Sequence, residues 1–247
     1  MRWFFSLAFF NPIETHSKNR FWFAFLFPFF TVFALWVDSV AFQKAYFDGG
    51  VLTAILSISY FSFFFISATS SLRKLLFVMV FLSYLGELIF CELLEMYAYR
   101  NDGIPLYVPF GHAIVYASGY VLAETSFFIK NEIRLKKIFL LSFVLLFLGV
   151  GIFLNDVFSL IFGTLFFVLM RRKKWQNVYY AIALCVIFIE LVGTYFKCWT
   201  WVPKTFGIIP AVNPPMGAVF FYAGGDVILA KMVSLWESKN CKIQKTA

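Results

Sequence analysis

A succession of apolar segments, most of them close to twenty residues long and separated by short polar breaks, most constrains what this chain can fold into. The hydrocarbon core of a bilayer is about 30 Å thick, and about 20 residues of helix cross it. Eight segments can be marked: Phe21–Val37, Val51–Ser70, Leu75–Tyr97, Pro109–Ile129, Ile138–Leu154, Val157–Met170, Val178–Phe196 and Pro214–Leu235. The sixth is the shortest. The apolar stretch from Ile138 to Met170 is nevertheless too long for one span, and Asn155-Asp156 within it is a turn-favouring pair, so a tight helical hairpin is expected there.

Composition agrees. The chain is 62% hydrophobic and 14% charged, whereas about a quarter of the residues of a soluble domain are charged. An all-α integral membrane protein of about eight transmembrane helices is therefore expected. The 36 Phe residues read as bulk on lipid-facing and interhelical surfaces.

Basic residues give an independent count of the spans. Arg2, Lys18 and Arg20 precede the first segment, Arg73-Lys74 join the second to the third, and Lys130, Arg134, Lys136 and Lys137 join the fourth to the fifth. Arg171 to Lys174 join the sixth to the seventh, and Lys231, Lys239, Lys242 and Lys245 lie towards the end. The intervening connections hold only Lys44, Arg100, Lys197 and Lys204, so 17 of the 21 basic residues fall on one side. Cytoplasmic loops carry such an excess. Both termini are thus expected inside, in a bacterial cytoplasmic (inner) membrane. The net charge of +8 is accounted for in this way, and the pattern does not call for a nucleic-acid partner. Membrane lipids are the expected partners of the 171–174 cluster.

Residues 1–20 read as a retained interfacial segment, 21–130 and 131–236 as two four-helix repeats, and 237–247 as a cytoplasmic tail. The repeat rests on two overlays. At an offset of 105, Ile104, Pro105, Pro109, Ala113 and Gly119 fall on Ile209, Pro210, Pro214, Ala218 and Gly224; at an offset of 98, Glu92-Leu93 and Tyr97 fall on Glu190-Leu191 and Tyr195. Four spans separate the copies, so they share one orientation, as in parallel-repeat transporters.

The residues able to carry chemistry cluster in these copies. Glu92, Glu95 and Tyr99 share one helical stripe, with Glu87 and Cys91 on its flank. Carboxylates in a spanning helix are costly unless they face a bundle interior or a wet cavity, and they mark function by default. Arg100 is a candidate for binding ligand charge or for neutralising Glu95. His112 and Tyr116 line up at i, i+4 on the fourth span. In the second copy Glu190 stands at the Glu92 position, Gly193 replaces Glu95 and Gly217 replaces His112, while Asn213, Tyr222 and Asp226 follow. Cys91, Cys185, Cys198 and Cys241 show no metal-ligand spacing. No cofactor or metal is expected.

Two classes of function follow. The leading expectation is a carrier or permease for a small solute or ion, with Glu87, Glu92, Glu95, Tyr99, Arg100, His112, Tyr116, Glu190, Asn213, Tyr222 and Asp226 around an inter-repeat site. The alternative is a membrane-embedded enzyme acting on a lipid or lipid-linked substrate at the outer face, with Glu95 or Glu92 as base, His112 as acid–base partner and Arg100 binding charge. A scaffold subunit holding a partner membrane protein is the third expectation. Whether the protein is an enzyme stays open at this level.

Overall fold

A computed structural model describes residues 19–171 and 176–246. The interfacial segment expected at residues 1–20 lies outside this range but for its last two residues, as does most of the basic 171–174 cluster. Among the described residues the elements in chain order are α1 (Asn19–Val37), α2 (Val40–Ala45), α3 (Gly50–Ser67), α4 (Ser70–Glu87), which continues as a π-helical turn (Leu88–Leu93), and β1 (Tyr97–Tyr99). Then follow α5 (Tyr107–Ala123), α6 (Ser126–Lys130), α7 (Glu132–Phe153), α8 (Val157–Met170), α9 (Gln176–Tyr195), β2 (Trp199–Trp201), β3 (Lys204–Thr205) and β4 (Ile209–Pro210). A 3-10 turn (Met216–Ala218) leads into α10 (Val219–Thr246).

The protein is an all-helical membrane protein, with five helices long and apolar enough to cross a bilayer: Gly50–Ser67, Ser70–Leu93, Glu132–Phe153, Gln176–Tyr195 and Met216–Val233. Phe21–Val37 and Val157–Met170 are apolar but shorter. The 14 residues of α8 extend about 21 Å, less than the hydrocarbon thickness. Large apolar side chains face outward all around, Phe29 at 74% exposed and Phe153 at 85%, a surface suited to lipid rather than water.

Local chemistry sets the turns. The α7–α8 hairpin closes at Asn155-Asp156, where Asn155 adopts a left-handed φ of 55°. Asp156 Oδ1 accepts the Ser159 backbone N–H at 3.0 Å, capping α8. Ser159 Oγ in turn accepts the Gly217 N–H at 2.9 Å, which ties the hairpin to the start of α10. Thr69 caps α4 by accepting the Leu72 N–H at 3.2 Å. Arg73 donates to the carbonyls of Phe65 and Ile66, the last acceptors of α3.

Helix α5 is the centre of the bundle and packs against α1, α3, α4 and α9. Its small residues allow this. A Cβ on Gly119 would lie 2.5 Å from Ile182 Cα, so only glycine permits α9 to approach so closely. Ala113, Ala117 and Tyr116 on α5 are fully buried. Four connections meet at one end: Arg100, between α4 and α5, bonds to the α1–α3 connection, β1 pairs with β2 between α9 and α10, and the α7–α8 hairpin bonds to Gly217. At the other end Asn177 Nδ2 donates to Glu132 O at 2.9 Å.

Candidate functional site

The site is built around two glutamates and a ribbon. Strands β1 and β2 pair antiparallel, Tyr97 opposite Trp201 and Tyr99 opposite Trp199. Tyr-Ala-Tyr and Trp-Thr-Trp are the same alternation, and in extended backbone it puts both aromatic residues of each strand on one face. Tyr97 and Tyr99 donate their hydroxyls to Glu87 Oε2 at 2.9 and 2.8 Å. Trp199 and Trp201 donate their indole N–H groups to Glu190 Oε2 at 2.9 and 3.0 Å. Each glutamate is thus clasped by the strand that follows its own helix.

The two clasps correspond residue for residue. A shift of 102 residues takes Tyr97 to Trp199 and maps the ladder onto itself. The flanking bond from Arg100 N–H to Cys198 O, 2.8 Å, becomes that from Val202 N–H to Met96 O, 3.1 Å. The left-handed Glu95, φ 47°, becomes the left-handed Lys197, φ 60°. Only the helix ends differ: Glu87 stands 10 residues before Tyr97, and Glu190 stands 9 before Trp199. The wider π turn at Leu88–Leu93 takes up the extra residue. The geometric counterpart of Glu190 is therefore Glu87, five residues earlier than the Glu92 of the sequence overlay.

Both glutamates line a partly open cavity of about 480 Å³. Its walls come from α1, α3, α4, α5, α9, α10 and the ribbon, and Phe27, Phe30, Leu35, Met79, Phe90 and Ile228 make much of it apolar. Tyr97, Tyr99, Tyr107, Trp199, Trp201 and Tyr222 line it as well, and among the described residues no Lys or Arg does. His112 Nε2 lies 3.0 Å from Glu87 Oε1, and its ring stacks on Tyr222 at 5.2 Å. That contact places an Nε2–H toward the carboxylate and turns the ring's other nitrogen, Nδ1, away from it. Glu87 is 2% exposed and meets three donors, the two phenols at Oε2 and His112 at Oε1. Burial, with the Glu87 charge beside them, pushes both ribbon phenols well up, so they remain donors at any working pH.

The other sequence-derived positions fall elsewhere. Glu92 and Glu95 sit on the exposed side of the π turn and its exit, away from the cavity. Arg100 is engaged by a network that runs from a buried to an exposed partner: Nη2 bonds the buried Asp38 Oδ1 at 2.8 Å and the exposed Asp48 Oδ1 at 2.6 Å, and Nη1 bonds the exposed Gln43 Oε1 at 2.6 Å. Tyr107 completes it, donating to Asp38 Oδ2 at 2.7 Å. The Arg100 guanidinium holds Asp48 below the usual carboxylate range, helped by the Gly50 N–H. Asp226 accepts Tyr116 at 2.8 Å and Tyr179 at 2.5 Å, a separate buried cluster, and Tyr222 turns to His112 rather than to Asp226. Asn213 Oδ1 accepts the Trp201 N–H at 3.0 Å and fixes the end of β2.

Sequence reasoning did not single out Asp38, Gln43 and Asp48, which lie 52 to 62 residues from Arg100 and carry no local signature. The clasping role of Trp199 and Trp201 was open to it through their strand-like spacing. Among the described residues no three His, Cys, Asp or Glu side chains converge as metal ligands would.

Fold and site together define a largely helical membrane protein with a partly open, largely apolar, carboxylate-bearing cavity. No family model matches the chain, and neither does a curated protein or a solved structure.

Proposed function

We propose that this protein is an integral membrane enzyme that performs acid–base chemistry on a lipid-like molecule. It holds the substrate between two four-helix halves, residues 21–130 and 131–236, in a cytoplasmic membrane with both termini inside. The observation that carries the reading is the Glu87–His112 pair at 3.0 Å on the wall of a partly open, mostly apolar cavity. Transport of an ion or polar solute needs a wetted path, and rings and aliphatic chains make a poor one; a molecule with an apolar body suits them. His112 takes a proton from the substrate, Glu87 stabilises the resulting imidazolium, and the proton returns at a second position. The pair has no equivalent in the second half. A Cβ on Gly217 would lie 2.9 Å from Ser159 Cα, so that position has no room for a catalytic side chain.

Purified protein incubated in deuterated water with lipids extracted from its host membrane tests this. Conversion of a lipid, or deuterium entering one, is expected for the wild type and lost in His112→Asn and Glu87→Gln. If no lipid changes, the enzyme reading falls.

One observation favours the carrier reading: carboxylates from both halves, Glu87 and Glu190, face one cavity, with the ribbon at the join between halves. In that case liposomes holding the protein would move a solute, and Glu87→Gln with Glu190→Gln would stop it.

A further inference from the structure

The two glutamates are not equally satisfied. Glu87 meets three donors, whereas Glu190 is held through Oε2 by two indoles, and no hydrogen bond from the described residues reaches its Oε1. Glu190 lines the cavity and lies within electrostatic reach of Glu87 and His112. A carboxylate oxygen facing a mostly apolar cavity in a membrane calls for a proton, water or a positive partner, and no Lys or Arg lines the cavity among the described residues.

The space itself is kept open by glycines. A Cβ on Gly111, Gly224 or Gly225 would meet nothing within 4 Å, although all three line the cavity. Gly119, which the sequence overlay sets against Gly224, does the opposite and closes a helix contact. A volume of about 480 Å³ falls in the range of small-molecule sites, about 300–1,000 Å³.

We infer that the cavity binds an amphiphile with a cationic nitrogen head. The ammonium group meets Glu190 Oε1 among the rings of Trp199, Trp201 and Tyr222, and the apolar tail lies along Gly111 and Gly225. Aromatic faces attract such a head without requiring a directed donor, and Trp does so best. This rests on the functional reading above only in taking the cavity as the place where the substrate sits.

The test is binding of tritiated dodecyltrimethylammonium to full-length protein in dodecyl maltoside, competed by unlabelled probe and by dodecanol. Saturable binding is expected, with dodecanol competing about tenfold less well and Glu190→Gln weakening binding about tenfold, since a single charge contact of that size is a modest one. Gly225→Leu, which fills the cavity, should abolish binding with the fold intact. Absence of saturable binding, equal competition by dodecanol, or unchanged affinity in Glu190→Gln overturns the inference. If Glu190→Gln does not fold, Gly225→Leu decides, and retained binding there overturns it. His112→Asn should keep the cation bound. A protein that binds the cation but turns over no lipid loses the enzyme reading and keeps this one.

Discussion

Replacing Arg100 by Met separates its structural role from a ligand-binding one. Arg100 and Asp38 form a pair whose side chains are 6% and 5% exposed, and Asp38 has Tyr107 as its other partner. Removing one member of such a buried pair costs about 3–5 kcal/mol, because the remaining charge stays desolvated. The bond to Asp48 is of another kind: Asp48 is 50% exposed, and its pairing contributes about 0–1 kcal/mol. Arg100→Met should therefore destabilise by about 3–5 kcal/mol, and Asp48→Asn by about 1 kcal/mol or less. Thermal unfolding of the detergent-solubilised protein, followed by tryptophan emission, measures both. Loss of Arg100 also frees the α1–α3 connection from β1, so the variant should be cut earlier by protease within residues 38–49. Equal losses of stability in the two variants would refute the division between buried and exposed partners. An Arg100→Met protein that melts as the wild type does, yet loses its ligand, would refute the structural assignment altogether.

Two further outcomes are expected. A Cβ on Gly193 would lie 1.9 Å from the ring of Trp199, so Gly193→Ala should displace that indole from Glu190 and destabilise by about 2–4 kcal/mol, overpacking and a lost charge-assisted bond combined, seen as a lower melting temperature with red-shifted tryptophan emission. The stabilising contribution of Asp48 should depend on pH in one direction: its carboxyl is held below its ordinary value near 3.8, so the contribution is complete above that pH and disappears as pH falls through the lower folded value. The difference in melting temperature between wild type and Asp48→Asn should thus be constant from pH 7 to about 5 and shrink below about 4.

The helical membrane class was legible because apolar run length is a linear property of a sequence. The hairpin at Asn155-Asp156 was legible for a similar reason, since turn formers act locally. The order within the site was less so. The overlay at an offset of 98 sets Glu92 beside Glu190, but the ribbon aligns the two halves at an offset of 102, and the carboxylate that reaches the cavity is Glu87. Chance identities of Glu, Leu and Tyr fix an offset in the sequence, whereas strand pairing between residues 104 apart fixes it in the fold. Arg100 is a second case. The sequence offers Arg100 a ligand charge or Glu95, whereas folding brings Asp38 and Asp48 to it from another connection. His112 was singled out by type, and its meaning came from Glu87 and Tyr222, which no spacing rule connects to it.

The ribbon also sets a timetable for biogenesis. Tyr97 and its partner Trp201 are 104 residues apart, and chain elongation at about 5–20 residues per second separates their synthesis by roughly 5–20 s. Throughout that interval β1 has exposed backbone donors and acceptors at the membrane, and the clasp on Glu87 lacks the strand that steadies it. The first four helices therefore enter the bilayer as an unfinished body with an open edge, which a second copy of the same edge could join. A chain stalled between α5 and α9 is expected to dimerise through β1, and the completed protein escapes this fate by supplying its own second strand.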